Sequence, residues 1–338
     1  MEAITFDDIL LVPGYNHHMS RRDVETKVTD KSNKLTLELP VISANMDTIT
    51  ESEMVNFMGK NGAMGSLHRF MDIEKNVEEF KKCKFPTFVS VGVSEYELKR
   101  AVALVEAGAD YFLIDVAHAH AQYVGKQIKH LREVIKDRCL VAGNVATYAG
   151  ADYLAACGAD IIKVGIGGGS ACTTRIKTGF GVPTLQSIKE CSRVDRSIIA
   201  DGGLRTPGDI VKALAFGADF VMIGGMLSGT TPTPGAVEKL PNGDQVKSYR
   251  GMASLEAVED QFGSMPEWKT AEGVAFKVPY RDNHESIMAD IRGGLRSGLT
   301  YAGAVNVKEL QRKLSYNVIT AASQKESGAH GLDRAKPG

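Results

Sequence analysis

The sequence has no CxxC pair, no basic leader ahead of an apolar stretch, no run of 18 apolar residues and no excess of charge of either sign. Its cysteines (Cys83, Cys139, Cys157, Cys172, Cys191) are odd in number and too scattered for a disulfide framework or a zinc site, which points to a reducing, cytoplasmic setting. The opening stretch MEAITFDDILLVPGY carries acidic residues within its apolar run, so neither secretion nor membrane insertion is expected. Forty basic residues against 41 acidic ones give a formal charge of −1. With no global field to attract nucleic acid, an anionic ligand must be held by local groups. Also absent are a GxxxxGK[ST] phosphate loop and a strand–turn–helix GxGxxG, the marks of P-loop and open dinucleotide-binding folds.

What the sequence does have is a repeating unit. Eight short apolar runs rich in Val and Ile recur at Val41–Asp47, Ala63–Arg69, Phe88–Val93, Tyr111–His118, Leu140–Thr147, Ile161–Gly167, Ser197–Leu204 and Phe220–Gly225. Their continuous rather than alternating apolar character predicts strands buried on both faces, as in a parallel sheet covered by helices. Gly-Ala-Asp stands before the fourth, sixth and eighth runs, at Gly108, Gly158 and Gly217, each time closing a stretch with helical spacing. The expected fold is therefore α/β, a (β/α)8 TIM barrel folded as one domain of 338 residues; a doubly wound open sheet is the competitor. Residues 1–40 precede the barrel, a Gly/Pro-rich excursion over 228–282 follows its eighth strand as a candidate flap, and 323–338 is a polar tail.

The densest chemistry lies in Gly165-Ile-Gly-Gly-Gly-Ser-Ala-Cys-Thr-Thr-Arg175, directly after the sixth strand, where a barrel keeps its reactive residues. Glycines let backbone amides approach an anion, Ser170 adds a hydroxyl, and Cys172 is the one cysteine among small polar residues, close to Arg175. It is the candidate nucleophile; the other four cysteines read as packing thiols. Gly202 and Gly203 after the seventh strand and Gly224 and Gly225 after the eighth form the expected phosphate cradle, with Asp201 placed to accept from ribose hydroxyls. Glu272, in the flap before a strand-like run, is the carboxylate best placed to exchange protons with Thr174. His118 and His120 have the spacing of a metal pair; strand alternation would set them on one face with no third ligand nearby.

At these residues the chain resembles the IMP dehydrogenase and GMP reductase family over nearly its full length. The motifs are FDDILLVPG (6–14), SANMDT (43–48), GNVAT (143–147), GGGSACTTR (167–175), ADGGLRTPGD (200–209), YRGM (249–252) and GGLRSGLTYAG (293–303). The resemblance implies a purine nucleotide as substrate, with Cys172 attacking C2 to form a covalent thioimidate. It adds Tyr249, Gly251, Met252, Lys269 and Gly273 to the nucleotide contacts, and gives Asp115, Ala117 and Thr174 to the cofactor. Between Tyr249 and Glu272 there is no Arg-Tyr pair, whereas IMP dehydrogenases carry one there to activate water, and usually carry inserted regulatory CBS domains. The expectation is a GMP reductase: NADPH-dependent conversion of GMP to IMP and ammonia, with Thr174 and Glu272 assisting departure of the amino group. An IMP dehydrogenase without CBS domains, using NAD+, is the alternative, followed by an inactive nucleotide-binding regulator. The resemblance further implies a homotetramer. The tail Lys325–Gly331 resembles that of IMP dehydrogenases, which raises a potassium site on the carbonyls of Gly167, Gly169 and Cys172. Gly168 and Lys269 depart from the family, which usually has proline and arginine at these places.

Overall fold

The computed structural model describes residues 3–328. All eight apolar runs are strands, in the expected order: β1 Val41–Ser43, β2 Gly65–Leu67, β3 Thr87–Val91, β4 Tyr111–Asp115, β5 Cys139–Val145, β6 Ile161–Val164, β7 Ser197–Asp201 and β8 Phe220–Ile223. Every neighbouring pair is parallel, and β8 pairs with β1. Ile42 and Met64 bridge the one remaining gap, between β1 and β2: Met64 N–H donates to the Val41 carbonyl at 3.1 Å and Ser43 N–H to that of Met64 at 3.0 Å. The sheet is thus a closed barrel, and the open alternative falls.

Helices α1 Ser52–Lys60, α2 Ile73–Lys82, α3 Glu95–Glu106, α4 Gln122–Ile135 and α5 Tyr148–Cys157 follow the first five strands in turn. After β6 come a single turn, α6 Thr174–Thr178, and then α7 Thr184–Cys191; α8 Pro207–Ala215 follows β7. Local chemistry sets their ends. Asp72 accepts the Lys75 amide at 2.7 Å to start α2, and Thr206 and Asp209 form a reciprocal capping box at α8, with Pro207 at its first position. Gly108, Gly158 and Gly217 all have φ near +100° (97°, 113° and 113°), the left-handed turn that stops each helix and feeds the next strand. The Gly-Ala-Asp echo is that turn.

Ile162, Val164, Ile198, Ala200 and Val221 are fully buried between sheet and helices, as their uninterrupted apolar runs require. The flap contains the hairpin β9 Gln245–Arg250 and β10 Ala275–Pro279, antiparallel, with helix α9 Leu255–Phe262 between them, and leads into α10 His284–Ala302. Beyond the barrel, Ile9–Leu11 pairs antiparallel with Tyr316–Val318.

A buried ion pair ties two of the loops at the barrel mouth to the helical layer. Arg100 on α3 is 2 % exposed and faces Glu97 at 3.2 Å; it also donates to Asn76 Oδ1 on α2 (3.0 Å) and to the Met71 carbonyl (2.8 Å). Glu97 in turn accepts the Gly92 amide at 2.7 Å, just past β3. Arg100→Met leaves the carboxylate buried without its cation, and should cost about 3 kcal/mol or more of folding stability. Urea unfolding measures this; a loss under about 1 kcal/mol would mean that water reaches Glu97.

Candidate active site

The cysteine loop leaves β6 at the strand's C-terminal end and folds against the flap. Cys172 forms an antiparallel bridge with Gly273, Val274 N–H donates to the Ala171 carbonyl at 3.0 Å, and Thr173 N–H to that of Glu272 at 2.8 Å. These backbone bonds align three side chains. Cys172 Sγ lies 3.2 Å from Thr174 Oγ1, and the Thr174 hydroxyl donates to Glu272 Oε2 at 2.8 Å. Thiol, hydroxyl and carboxylate therefore form one hydrogen-bonded line from Cys172 to Glu272. Gly251 is pressed onto the same loop, where a Cβ would stand 2.8 Å from the Ala171 carbonyl.

Beside this line, Ser170 Oγ and Tyr249 OH lie 2.9 Å apart. Burial pushes the Tyr249 phenol above its ordinary range; the nearby charge of Asp201 adds to this and the Ser170 hydrogen bond opposes it. The glycine loops converge here: a Cβ on Gly225 would stand 3.0 Å from Ser170 Oγ, one on Gly224 3.5 Å from Tyr249 OH, and one on Gly202 3.0 Å from the Gly169 amide. Gly202 and Gly203 have φ of +89° and +81°, a turn that side chains resist. Ser170, Asp201, Gly202, Gly203, Gly224, Gly225, Tyr249, Gly251 and Gly273 are thus brought to one mouth. Gly168, standing where the family usually has proline, has no room for a side chain: a Cβ would meet Thr184 Oγ1 at 2.4 Å.

The floor of the mouth is charged. Lys163, on β6, is 1 % exposed, with Nζ 2.8 Å from Asp115 Oδ1 and 2.6 Å from Asp201 Oδ2. Asn45 donates to Asp115 Oδ2 at 2.8 Å, and Asn144 to Asp201 Oδ2 at 2.9 Å. Burial alone would raise the Asp115 carboxyl, but the Lys163 charge and the hydrogen bonds outweigh it and hold the group below its usual range. Burial likewise draws the Lys163 ammonium down; the two carboxylates overcome it and leave the net shift upward. Sequence reading missed Lys163, Asn45 and Asn144. For Lys163 a signal was present: a lysine inside IIKVG interrupts a strand buried on both faces, where an ionised group needs partners.

Arg250 fastens the flap. It lies 2.5 Å from Asp47 in the loop after β1 and 2.7 Å from Asp260 on α9, while the Asp47 amide meets Met252 Sδ at 3.4 Å. Lys269 sits in the turn after α9, its amide donating to the Pro266 carbonyl at 3.0 Å. The histidine pair differs from expectation: β4 ends at Asp115, so His118 and His120 lie in the following loop, not on one strand face. The ladder with β5 ends at the Asp115–Gly143 pair, where β5 itself becomes irregular between Gly143 and Val145. Ala117 is exposed in the same loop. Of the carbonyls expected around potassium, that of Gly169 already accepts the Cys172 amide at 3.1 Å, and residues 329–331 of the tail motif lie outside the described residues.

Burial suppresses three of the other thiols. Burial pushes Cys83 and Cys191 up to about 12 and drives Cys139 further upward. Since the thiolate is the reacting species, brief iodoacetamide treatment near pH 8 should label Cys172 ahead of these three, as read by peptide mass spectrometry. Equal labelling would place Cys172 in packing.

A closed parallel barrel with polar and ionisable side chains gathered at the C-terminal ends of its strands is the architecture of the (β/α)8-barrel enzymes. The family model "IMP dehydrogenase / GMP reductase domain" matches residues 3–330, and the chain belongs to that oxidoreductase family. It is 37 % identical to GMP reductase 1 of Mus musculus over 329 residues, covering 94 % of this chain and 95 % of that protein. It is also 37 % identical to the inosine-5'-monophosphate dehydrogenase of Cryptosporidium parvum over 394 residues, covering 99 % and 96 %. Among solved structures, a Trypanosoma brucei GMP reductase variant in complex with guanosine 5'-monophosphate superimposes with a TM-score of 0.90 at 27 % identity, covering 98 % of each chain. A Legionella pneumophila protein named inosine 5' monophosphate dehydrogenase does so with a TM-score of 0.88 at 70 % identity, covering 95 % of this chain and 99 % of that one.

Proposed function

We propose that this protein is a GMP reductase, converting GMP and NADPH to IMP, ammonia and NADP+. The observation that carries the reading is the continuous line from Cys172 Sγ through Thr174 to Glu272, set against a flap with no Arg-Tyr pair between Tyr249 and Glu272. In the proposed reaction the Cys172 thiolate attacks C2 of guanine. Glu272 and Thr174 deliver a proton to the 2-amino group, the C2–N bond breaks, and ammonia leaves a C2–S thioimidate. A reduced nicotinamide dinucleotide, when bound, supplies the hydride that reduces C2. Breaking of the C–S bond then returns its electron pair to Cys172 and frees IMP.

Asp201, Ser170, Tyr249, Gly251, Met252, Lys269, Gly273 and the paired glycines at 202–203 and 224–225 hold the nucleotide in this reading. Asn144 Oδ1 and Thr173 Oγ1 are buried without a protein partner, which fits a site completed by a polar ligand. The barrel rim suits the dinucleotide: the Asp115 side chain is 29 % exposed and held in place by Lys163, Ala117 beyond it is open, and Thr174 lies next to the sulfur. Two features agree with the reductase reading. Only α2 separates β2 from β3, leaving no inserted regulatory unit there. The alignment with the Cryptosporidium dehydrogenase runs over more positions than this chain's 338 residues, so it spans segments without a counterpart here, whereas the mouse reductase aligns over 329. A homotetramer belongs to the same proposal.

One observation favours a second reading, oxidation of IMP with NAD+: the 70 % identical Legionella protein is named for that activity. Absorbance at the reduced-nicotinamide band separates the two. GMP-dependent loss of NADPH supports the reductase; NADH formation from IMP and NAD+ without it replaces that reading by the dehydrogenase.

A further inference from the structure

Lys163 is a buried charge that the proposed reaction leaves without a task. It rises from the middle of the barrel wall between two carboxylates of different strands, Asp115 ending β4 and Asp201 ending β7. Each carboxylate has one further side-chain donor, Asn45 for Asp115 and Asn144 for Asp201, and each is partly open to the mouth, 29 % and 21 % exposed. The ammonium itself is sealed from solvent. One cation thus faces two anions, and it cannot move toward one without leaving the other.

We propose that Lys163 is a positioning residue that couples the nucleotide subsite to the dinucleotide subsite, by holding in common the carboxylate that meets the nucleotide's ribose, Asp201, and the one that meets the cofactor, Asp115. The inference rests on the functional reading above, in which these carboxylates serve different ligands. Ribose hydroxyls donating to Asp201 satisfy part of its charge and loosen its claim on the ammonium. The ammonium then bears more on Asp115 and fixes its orientation before the second ligand arrives. Binding at either subsite prepares the other, and linkage requires the two effects to be equal. Contacts under 3 Å around a buried ammonium are strong enough to transmit such a shift.

The test is calorimetric, on protein carrying Cys172→Ala so that no turnover intervenes. GMP is titrated with and without saturating NADPH, and NADPH with and without saturating GMP. Each ligand should tighten the other by the same factor, about tenfold. With Lys163→Met added, both ligands should bind more weakly and the factor should fall to within about twofold of unity; Lys163→Arg, which keeps the charge, should restore part of it. An unchanged factor in Lys163→Met, or the absence of coupling in the parent although both ligands bind, would overturn the inference. Should Lys163→Met not fold, Asp115→Asn decides: it should weaken GMP binding severalfold without any cofactor present, and an unaltered GMP affinity counts against the coupling. If the parent instead binds only IMP and NAD+, the reductase reading fails, and the same measurement with that pair still judges Lys163.

Discussion

Cys172→Ala should give a protein that binds GMP and does not turn it over. Removing a covalent nucleophile costs a rate factor of about 10³ or more, because what remains is positioning of a substrate with nothing to attack it. The sulfur stands next to the glycine-lined mouth, hydrogen-bonded to Thr174, and the backbone bridge to Gly273 survives truncation at Cβ. GMP affinity should therefore stay within about threefold of the parent. The measurement pairs calorimetric GMP binding with NADPH oxidation at saturating GMP. Turnover in the alanine variant would eliminate the thioimidate; loss of GMP binding together with activity would mean that the loop, and not the sulfur, had been damaged.

Glu272→Gln should lower kcat by about 10²- to 10⁴-fold, the range for losing a positioned general acid or base. Glutamine keeps the size and a hydrogen bond to Thr174 but cannot exchange the proton. Thr174→Ala breaks the same line one step earlier, so the double variant should be scarcely slower than either single one; residues acting as a unit do not add. Thr174→Ser, which retains the hydroxyl, should keep most of the rate. Multiplicative losses in the double variant would show that Thr174 and Glu272 act on separate steps.

The barrel was readable because its strands are unbroken Val/Ile runs and its helices stop at recurring glycines, both local signals. The cysteine loop was readable for a similar reason, since a thiol among glycines, serine and threonine directly after a strand has few uses in packing. The contact between Thr174 and Glu272 was legible only as a guess at partners: the two lie far apart in the chain, and their 2.8 Å contact depends on how the flap docks, which composition does not encode. Lys163 went unread although it broke the apolar pattern of its strand, because its partners come from β4 and β7, and pairing across a barrel is invisible along a chain. His118 and His120 were set on a strand because the apolar run was carried past Asp115 through Val116 and Ala117, although the ladder already ends at the Asp115–Gly143 pair.

Division of labour follows from the way the excursion after β8 docks. The scaffold supplies the sulfur, the hydroxyl and the glycine cradle, while the excursion supplies Glu272 and Tyr249, held by Arg250 and a few main-chain bonds. In the proposed reaction the sulfur that attacks the base and the carboxylate that governs the fate of the adduct are thereby written in separable stretches of one polypeptide. Exchanging the 249–274 cassette between relatives should redirect the product while leaving the eight-stranded body untouched, a route by which two opposed chemistries can descend from one ancestor without rebuilding its core.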